Sequence, residues 1–244
     1  MKHIHYDSLN STNEQAKLLL NEHDSIIITA DEQSGGKGRK NRTWVGDKGK
    51  NLYCSIGIRH RIHSKTLEPH SYQFAGAIIA YKAITRIVPK EQVRLKFPND
   101  IMVKDADGKF RKICGILTEH IFYGNTLQAT IIGIGINVEQ KEFPDEVKDI
   151  ATSLSRMGYG VTVHDIFNFL FDIASDYKFD SDSVIYEEWH DLVGIEGRIV
   201  RLVSDGQEYL ITEVFDDGRL QAENISDSSI KIIDDGDSIR YEYE

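Results

Sequence analysis

Cysteine is scarce in this 244-residue chain: there are two, Cys54 and Cys114, far apart and outside any Cys-x-x-Cys spacing. That argues against a disulfide framework or a thiolate metal centre. Each follows the apolar course of a strand, so both are expected as buried free thiols, which points to a reducing, cytoplasmic setting. No apolar run approaches the ~18 residues of a membrane span. The opening stretch MKHIHYDSLNSTNEQ lacks the apolar centre of a signal peptide, so no membrane partner is expected. Internal repeats and low-complexity tracts are absent as well. So is any broad excess of positive charge, since the formal net charge is −10.

That charge is unevenly spread. From Ile195 onward there are 5 Lys/Arg against 13 Asp/Glu, an excess of −8, which leaves about −2 for the first 194 residues. A domain that grips a nucleic-acid backbone needs cations over a whole face. Here they concentrate between Lys37 and Lys50, which suits one small anionic ligand better. A module for RNA or single-stranded DNA remains the rival of a different class, with the acidic C-terminal part against it.

Hydrophobic residues at 40% and charged residues at 28% are ordinary for a globular chain of one large domain, or one domain and an appendage. KHIHYDSL reads as a first strand. Ser11 followed by Glu14 has capping-box spacing for a helix through EQAKLLL. SIIITA (25–30) and NLYCSIGI (51–58) read as strands, and 71–88 as a helix buried over much of its surface. QVRLKF, IMVK, FRKICGILTEHIF and TLQATIIGIGINV form a meander punctuated by Pro-Asn-Asp and Asp-Gly turns. Thr162 with Asp165 caps a helix to about Lys178, and a second helix covers 182–192. Five short strands then follow from about residue 195, separated by Asp-Gly and Ser-rich turns, as in a small β-barrel. The expected class is α+β: a mixed, largely antiparallel sheet backed by helices over 1–194, then a small barrel over 195–244.

The stretch DEQSGGKGRKNRTW (31–44) lies between two apolar strands. Gly35, Gly36 and Gly38 would let the backbone take positive φ and expose successive N–H groups to an anion. Lys37, Arg39, Lys40 and Arg42 surround them with charge. A connection of about twenty residues without secondary structure of its own is functional or disordered, and composition alone leaves both readings open. It is no Walker A loop, because the spacing is wrong and a strand follows. KFPND (96–100) serves as a plain turn. In KICGIL (112–117), Lys112 is a strand-end charge, and Gly115 permits close approach of a ligand. GIGINV (133–138) has Gly-x-Gly without a following helix, so a dinucleotide fingerprint is excluded. The pairs His3/His5 and His60/His63 lack a third ligand in good context and read as surface or strand residues.

In order, Ser11-Thr12-Asn13, Gln33 with GGKGRKNRTW, KFPND, KICGIL, GIGINV and ATSL (151–154) resemble the catalytic domain of biotin protein ligases over about 150 residues. The family also carries a small C-terminal barrel. Its longer members begin with a DNA-binding helix-turn-helix, whereas this sequence begins at the catalytic strand and so resembles the short type, for which no DNA partner is expected. Two positions depart from the family. Lys37 stands where it has arginine, which keeps the charge but loses the planar fork. Phe97 stands where it has tryptophan.

The resemblance implies ATP-dependent formation of biotinyl-5′-AMP, then transfer to a lysine of a carboxylase's biotin carrier domain. Biotin and ATP are the substrates and Mg²⁺ the cofactor. By matched position, Lys112, Arg39 and Lys37 neutralise the carboxylate and α-phosphate, and Asp100 orients Mg²⁺ or the incoming lysine. Ser11, Thr12, Asn13, Gln33, Gly36, Gly38 and Gly115 join Lys37, Arg39 and Lys112 around biotin. Arg39, Arg42, Trp44, Asn99, Lys112 and Asn137 line the nucleotide. A homodimer through the catalytic sheet, common in the family, is a further expectation. The nearest rival is a lipoate–protein ligase, which would need an apolar pocket instead of partners for a ureido ring.

Overall fold

Alternating burial along two long strands, Phe110–Tyr123 (β6) and Thr126–Asn137 (β7), sets the layers of the molecule. The computed structural model describes residues 1–44, 46–61 and 66–241. His63 of the His60/His63 pair, Val45 of the loop and residues 242–244 lie outside the described residues.

The other strands are Lys2–Tyr6 (β1), Ser25–Ala30 (β2), Asn51–Arg59 (β3), Val93–Lys96 (β4) and Asp100–Lys104 (β5). With β6 and β7 they form a seven-stranded sheet in the order β1-β2-β3-β7-β6-β5-β4. Only β1 and β2 pair in parallel; every other neighbour is antiparallel. Even-numbered residues of β7, Ile132, Ile134 and Ile136, face the main core with Cys114 and Ile116 of β6. Above them lies a helix, Pro69–Ile84 (α2), buried along most of its length. Gly76 lets this helix descend onto the sheet, since a Cβ there would overlap the Ile132 side chain. Helices Val163–Asp176 (α3) and Asp182–Val193 (α4) cover α2. The opposite face carries a smaller cluster, in which Ala16 and Leu20 meet Ile26, Ile28, Ala129 and Ile131. Here Thr12–Leu19 (α1) covers only part of the sheet.

The C-terminal strands Ile199–Leu202 (β8), Glu208–Val214 (β9), Leu220–Asn224 (β10), Ile230–Ile233 (β11) and Ile239–Arg240 (β12) make one curled antiparallel sheet, β11-β10-β9-β8-β12. Its inner residues join the main core. Trp189 of α4 is the junction. Its ring stacks on Phe74 at 4.0 Å, and its indole N–H donates to Pro98 O at 3.2 Å.

Three local expectations are corrected. The second helix ends at Ile84, not 88. Ser11 stands at the N-cap of α1 without a side-chain cap bond. The helix start is closed by Gln33 instead, whose Oε1 accepts from Thr12 N at 2.7 Å and Thr12 Oγ1 at 3.1 Å, while Glu14 pairs with Lys17 and Lys37. The box expected at Thr162 and Asp165 forms in full. Finally, the 31–50 loop has structure of its own, a 3-10 turn at Arg39–Asn41 and a bridge between Lys37 and Thr43. The positive φ in that turn belongs to Lys40, at 53°, and not to Gly35, Gly36 or Gly38. Gly35 and Gly36 are small for want of space. A Cβ at Gly35 would overlap Asn10, and one at Gly36 would come within 2.6 Å of Trp44 O.

His60 is buried at the end of β3, with Nε2 3.0 Å from Thr130 Oγ1 and Nδ1 3.4 Å from the Tyr72 hydroxyl. Burial, reinforced by His120, lowers its pKa from 6.5 to about 4. The unfolded chain therefore binds the extra proton first, and stability falls as pH drops from about 6.5 to about 4. Urea unfolding across this window should show a shallower decline for His60→Gln than for the wild type; parallel curves would contradict it.

Candidate ligand site on the open face of the sheet

The face that α1 leaves uncovered is paved with glycine. On the β6–β7 ladder Gly115 lies opposite Gly135, and Leu117 opposite Gly133. The Trp44 indole rests on this strip. A Cβ at Gly135 would come within 2.6 Å of its Cε2, and one at Gly115 within 2.8 Å of its Cζ3. Lys112 Nζ lies 5.4 Å from the indole centroid, within cation–π range, and 2.6 Å from Asp100 Oδ1. The Lys112 backbone is held by the 150–152 segment, its N–H donating to Ile150 O and its carbonyl accepting from Thr152 N. Asn137 joins that segment through Thr152 O at 3.0 Å.

Beside Asp100, the buried Asn99 donates to Ile116 O and accepts from Arg39 Nη1 at 3.1 Å. Lys112, Asp100, Asn99, Arg39, Trp44 and Gly115 are thus brought together. The indole N–H of Trp44 is buried with no partner among the described residues. An unpaired buried donor costs about 1–3 kcal/mol, and this one lies beside a lysine on a floor of bare backbone. The arrangement suits a ligand with an acceptor or anionic group.

A second group lies further along the same face. Asn13 sits on Gly133, where a Cβ would come within 2.5 Å of Asn13 Oδ1. Asn13 Nδ2 donates to Glu119 at 2.7 Å, and Ser55 Oγ donates to Asn13 Oδ1 at 2.5 Å or to Thr12 Oγ1 at 2.7 Å. Thr12 is tied to Gln33 as described, with Ser11 buried at the same helix start. Gly36 links the two groups, because its carbonyl accepts from Trp44 N and its α-carbon faces Gln33. Gly38 closes the loop by donating to Arg42 O at 2.7 Å.

The side chains of two predicted residues join neither group. Lys37 Nζ extends to Glu14 of α1 at 2.9 Å. Arg42 reaches Asp237 of the C-terminal sheet at 2.6 Å. Sequence reasoning missed Ser55, Glu119, Asp235 and Asp237. Ser55 did carry a signal, as a hydroxyl in an otherwise apolar run. The reading of His3/His5 as lacking a third ligand is revised. Parallel pairing of β1 with β2 brings Asp7 and Asp31 to His5, their ligand atoms all within 4.8 Å. The cluster is largely exposed and lies apart from the glycine strip.

Fold and sequence together point to one family. Residues 6–137 match the Biotin/lipoate A/B protein ligase family, and the chain belongs to it. Among individual relatives, the bifunctional ligase/repressor BirA of Bacillus spizizenii is 37% identical over 158 residues, covering 63% of this chain and 46% of that protein. The biotin–[acetyl-CoA-carboxylase] ligase of Mycobacterium tuberculosis is 27% identical over 138 residues, covering 55% and 47%. The chain spans about half the length of the curated relatives it matches. In three dimensions it resembles the biotin protein ligase of Aquifex aeolicus in complex with biotin and ATP, with a TM-score of 0.70 at 23% identity, covering 98% of this chain and 97% of that one. No helix among the described residues is long and apolar enough to cross a membrane.

Gly135→Ala should push the indole off the strip. In a Trp189→Phe background Trp44 is the sole tryptophan of the original 2, and its emission should move to longer wavelength. Unchanged emission would count against this packing.

Proposed function

We propose that this chain joins biotin to ATP as biotinyl-5′-AMP, releasing pyrophosphate, and then passes the biotinyl group to a lysine of a carboxylase's biotin carrier domain, releasing AMP. The observation that carries this reading is the meeting of Lys112 with an unpaired indole N–H over the glycines of β6 and β7, with Arg39 tied to the neighbouring Asn99. Family membership supports it, as does the likeness to a relative named as a biotin–[acetyl-CoA-carboxylase] ligase.

In the first step the biotin carboxylate oxygen attacks the α-phosphorus and pyrophosphate leaves. Two unit charges 4 Å apart repel by ~4 kcal/mol at an effective dielectric of ~20. The ammonium of Lys112 and the guanidinium of Arg39 offset that repulsion, and Lys37 would add to it on leaving Glu14. Ser11, Thr12, Asn13 and Gln33 face the ureido ring, with Ser55 and Glu119 fixing Thr12 and Asn13 from behind. Gly36, Gly38 and Gly115 present backbone without side chains to the ligand. Arg42, Trp44, Asn99 and Asn137 serve the nucleotide side. Asp100 bonds Lys112 through one oxygen, and its other oxygen suits Mg²⁺, which takes few protein carboxylates beside phosphate oxygens. The metal would supply neutralisation of phosphate charge. In the second step the carrier lysine attacks the carbonyl carbon of the anhydride, and the covering loop keeps water from doing so first.

We read the chain as two units, 1–194 and 195–244, since Gly194 ends α4 in a left-handed turn and a new sheet follows. A cytoplasmic setting fits the two free, buried cysteines. The net charge of −10 favours a protein partner over DNA. A homodimer would form by extending the seven-stranded sheet at an edge. The polar ring of Thr12, Asn13, Ser55 and Gln33 favours biotin over the alkyl chain of lipoate.

Exchange of labelled pyrophosphate into ATP should depend on biotin and be absent with lipoate; biotin-independent exchange would defeat the proposal. Lys112→Ala should lower the exchange by roughly 100-fold or more. Biotin with ATP should protect the 31–50 loop from protease, and equal cleavage with and without them would remove its role as a cover.

A further inference from the structure

The loop that stands out in the sequence for its positive charge is electrically satisfied in the folded protein. Arg39 Nη2 lies 3.1 Å from Asp235 Oδ1, and Arg42 Nη2 lies 2.6 Å from Asp237 Oδ1. Lys40 bonds Asp235 and lies 3.8 Å from Asp237. Two carboxylates therefore hold three of the loop's four central cations, and Glu14 holds the fourth, Lys37. Asp235 is 196 residues downstream of Arg39, so chain proximity does not explain the contact.

The turn that carries these carboxylates is fixed to the site. Asp235 Oδ1 accepts from Asp237 N at 3.0 Å, which shapes the 3-10 turn Gly236–Ser238. A side chain at Gly236 would overlap Phe97 O and approach Pro98 Cδ to 2.6 Å, so the turn is pressed onto the segment that leads into Asn99 and Asp100. Tyr241 adds a further tie by accepting from Phe97 N at 3.0 Å. Burial raises the pKa of both aspartates, but hydrogen bonding to Lys40 and Arg42 together with the charge of the neighbouring cations outweighs it and holds them below the usual carboxylate value.

We propose that Asp235 and Asp237 are positioning residues that stand in for nucleotide phosphates: they hold Arg39, which is beside Asn99, together with Lys40 and Arg42, and release these cations to the triphosphate when ATP binds. This rests on the reading of the site as one for biotin and ATP. It makes nucleotide binding an exchange of ion pairs instead of a net gain. Carboxylate–cation and phosphate–cation pairs are screened alike by salt, so ATP affinity in the wild type depends only weakly on ionic strength. The aspartates set affinity from below, through competition. The contrary view, in which they only orient the cations for ATP, predicts that neutralising them weakens binding.

Asp235→Asn and Asp237→Asn, made singly in the full chain, separate the two. Calorimetry with MgATP at low and high salt and limited proteolysis without nucleotide are the measurements. Each variant should have its 31–50 loop cut faster than the wild type, yet bind ATP about 3- to 10-fold tighter at low salt, with affinity falling more steeply as salt rises. A merely structural role would loosen the loop and weaken ATP together, and ATP affinity unchanged or weaker in Asp237→Asn overturns the proposal. Asp237 is the decisive position, because Asp235 also shapes its turn, whereas the Asp237 side chain contacts Arg42 and Lys40. A wild type that binds no ATP defeats both the nucleotide reading and the proposed clasp of Asp235 and Asp237 on the loop. One that binds ATP without biotin-dependent pyrophosphate exchange defeats the biotin reading alone, and the affinities still decide the clasp.

Discussion

The antiparallel ladder between β6 and β7 is the constraint from which the rest of the molecule follows. A strand presents its side chains to two faces in strict alternation. On one face that alternation gives Ile116, Ile132, Ile134 and Ile136, which need a helix above them and receive α2. On the other it gives Gly115, Gly133 and Gly135. The same rungs that bind the core thus leave a trough of bare backbone, and a register shift of one residue would bury the glycines and expose the isoleucines.

Into that trough come groups from three directions. Trp44 arrives from the loop, Asn13 from the start of α1, and Lys112 from the head of β6. Each is fixed by a bond that leads away from the trough: Trp44 N to Gly36 O, Asn13 to Ser55 and Glu119, and Lys112 to Asp100. Such backing spares the ligand the cost of ordering these side chains when it arrives.

Much of this is legible in the linear sequence where the signal is local. Strand and helix positions follow from apolar periodicity, and the capping box at Thr162 and Asp165 forms as its spacing implies. The same signature at Ser11 and Glu14 does not. A capping box competes with tertiary partners, and here Gln33 closes the helix start while Lys17 and Lys37 take the glutamate. The glycines of the loop were rightly read as a constraint but for the wrong reason. Gly35 and Gly36 are small because Asn10 and the Trp44 carbonyl press on them, which no local pattern reveals. Asp235 and Asp237 read as ordinary turn residues, since their partners lie almost the whole length of the chain away.

That separation has a consequence for synthesis. A nascent chain that has released the glycine-paved ladder, the loop and Lys112 already holds most of the groups of the candidate site. Yet the segment from Phe97 to Pro98 is not braced until Gly236 and Tyr241 arrive, and the cations of the loop have no aspartates to meet before then. At typical elongation rates of ~5–20 residues per second, the roughly 100 residues that separate Asn137 from Tyr241 take several seconds or more to appear. During that interval Arg39, Lys40 and Arg42 are without the carboxylates that meet them in the fold, and the turn at Gly236–Ser238 supplies those partners.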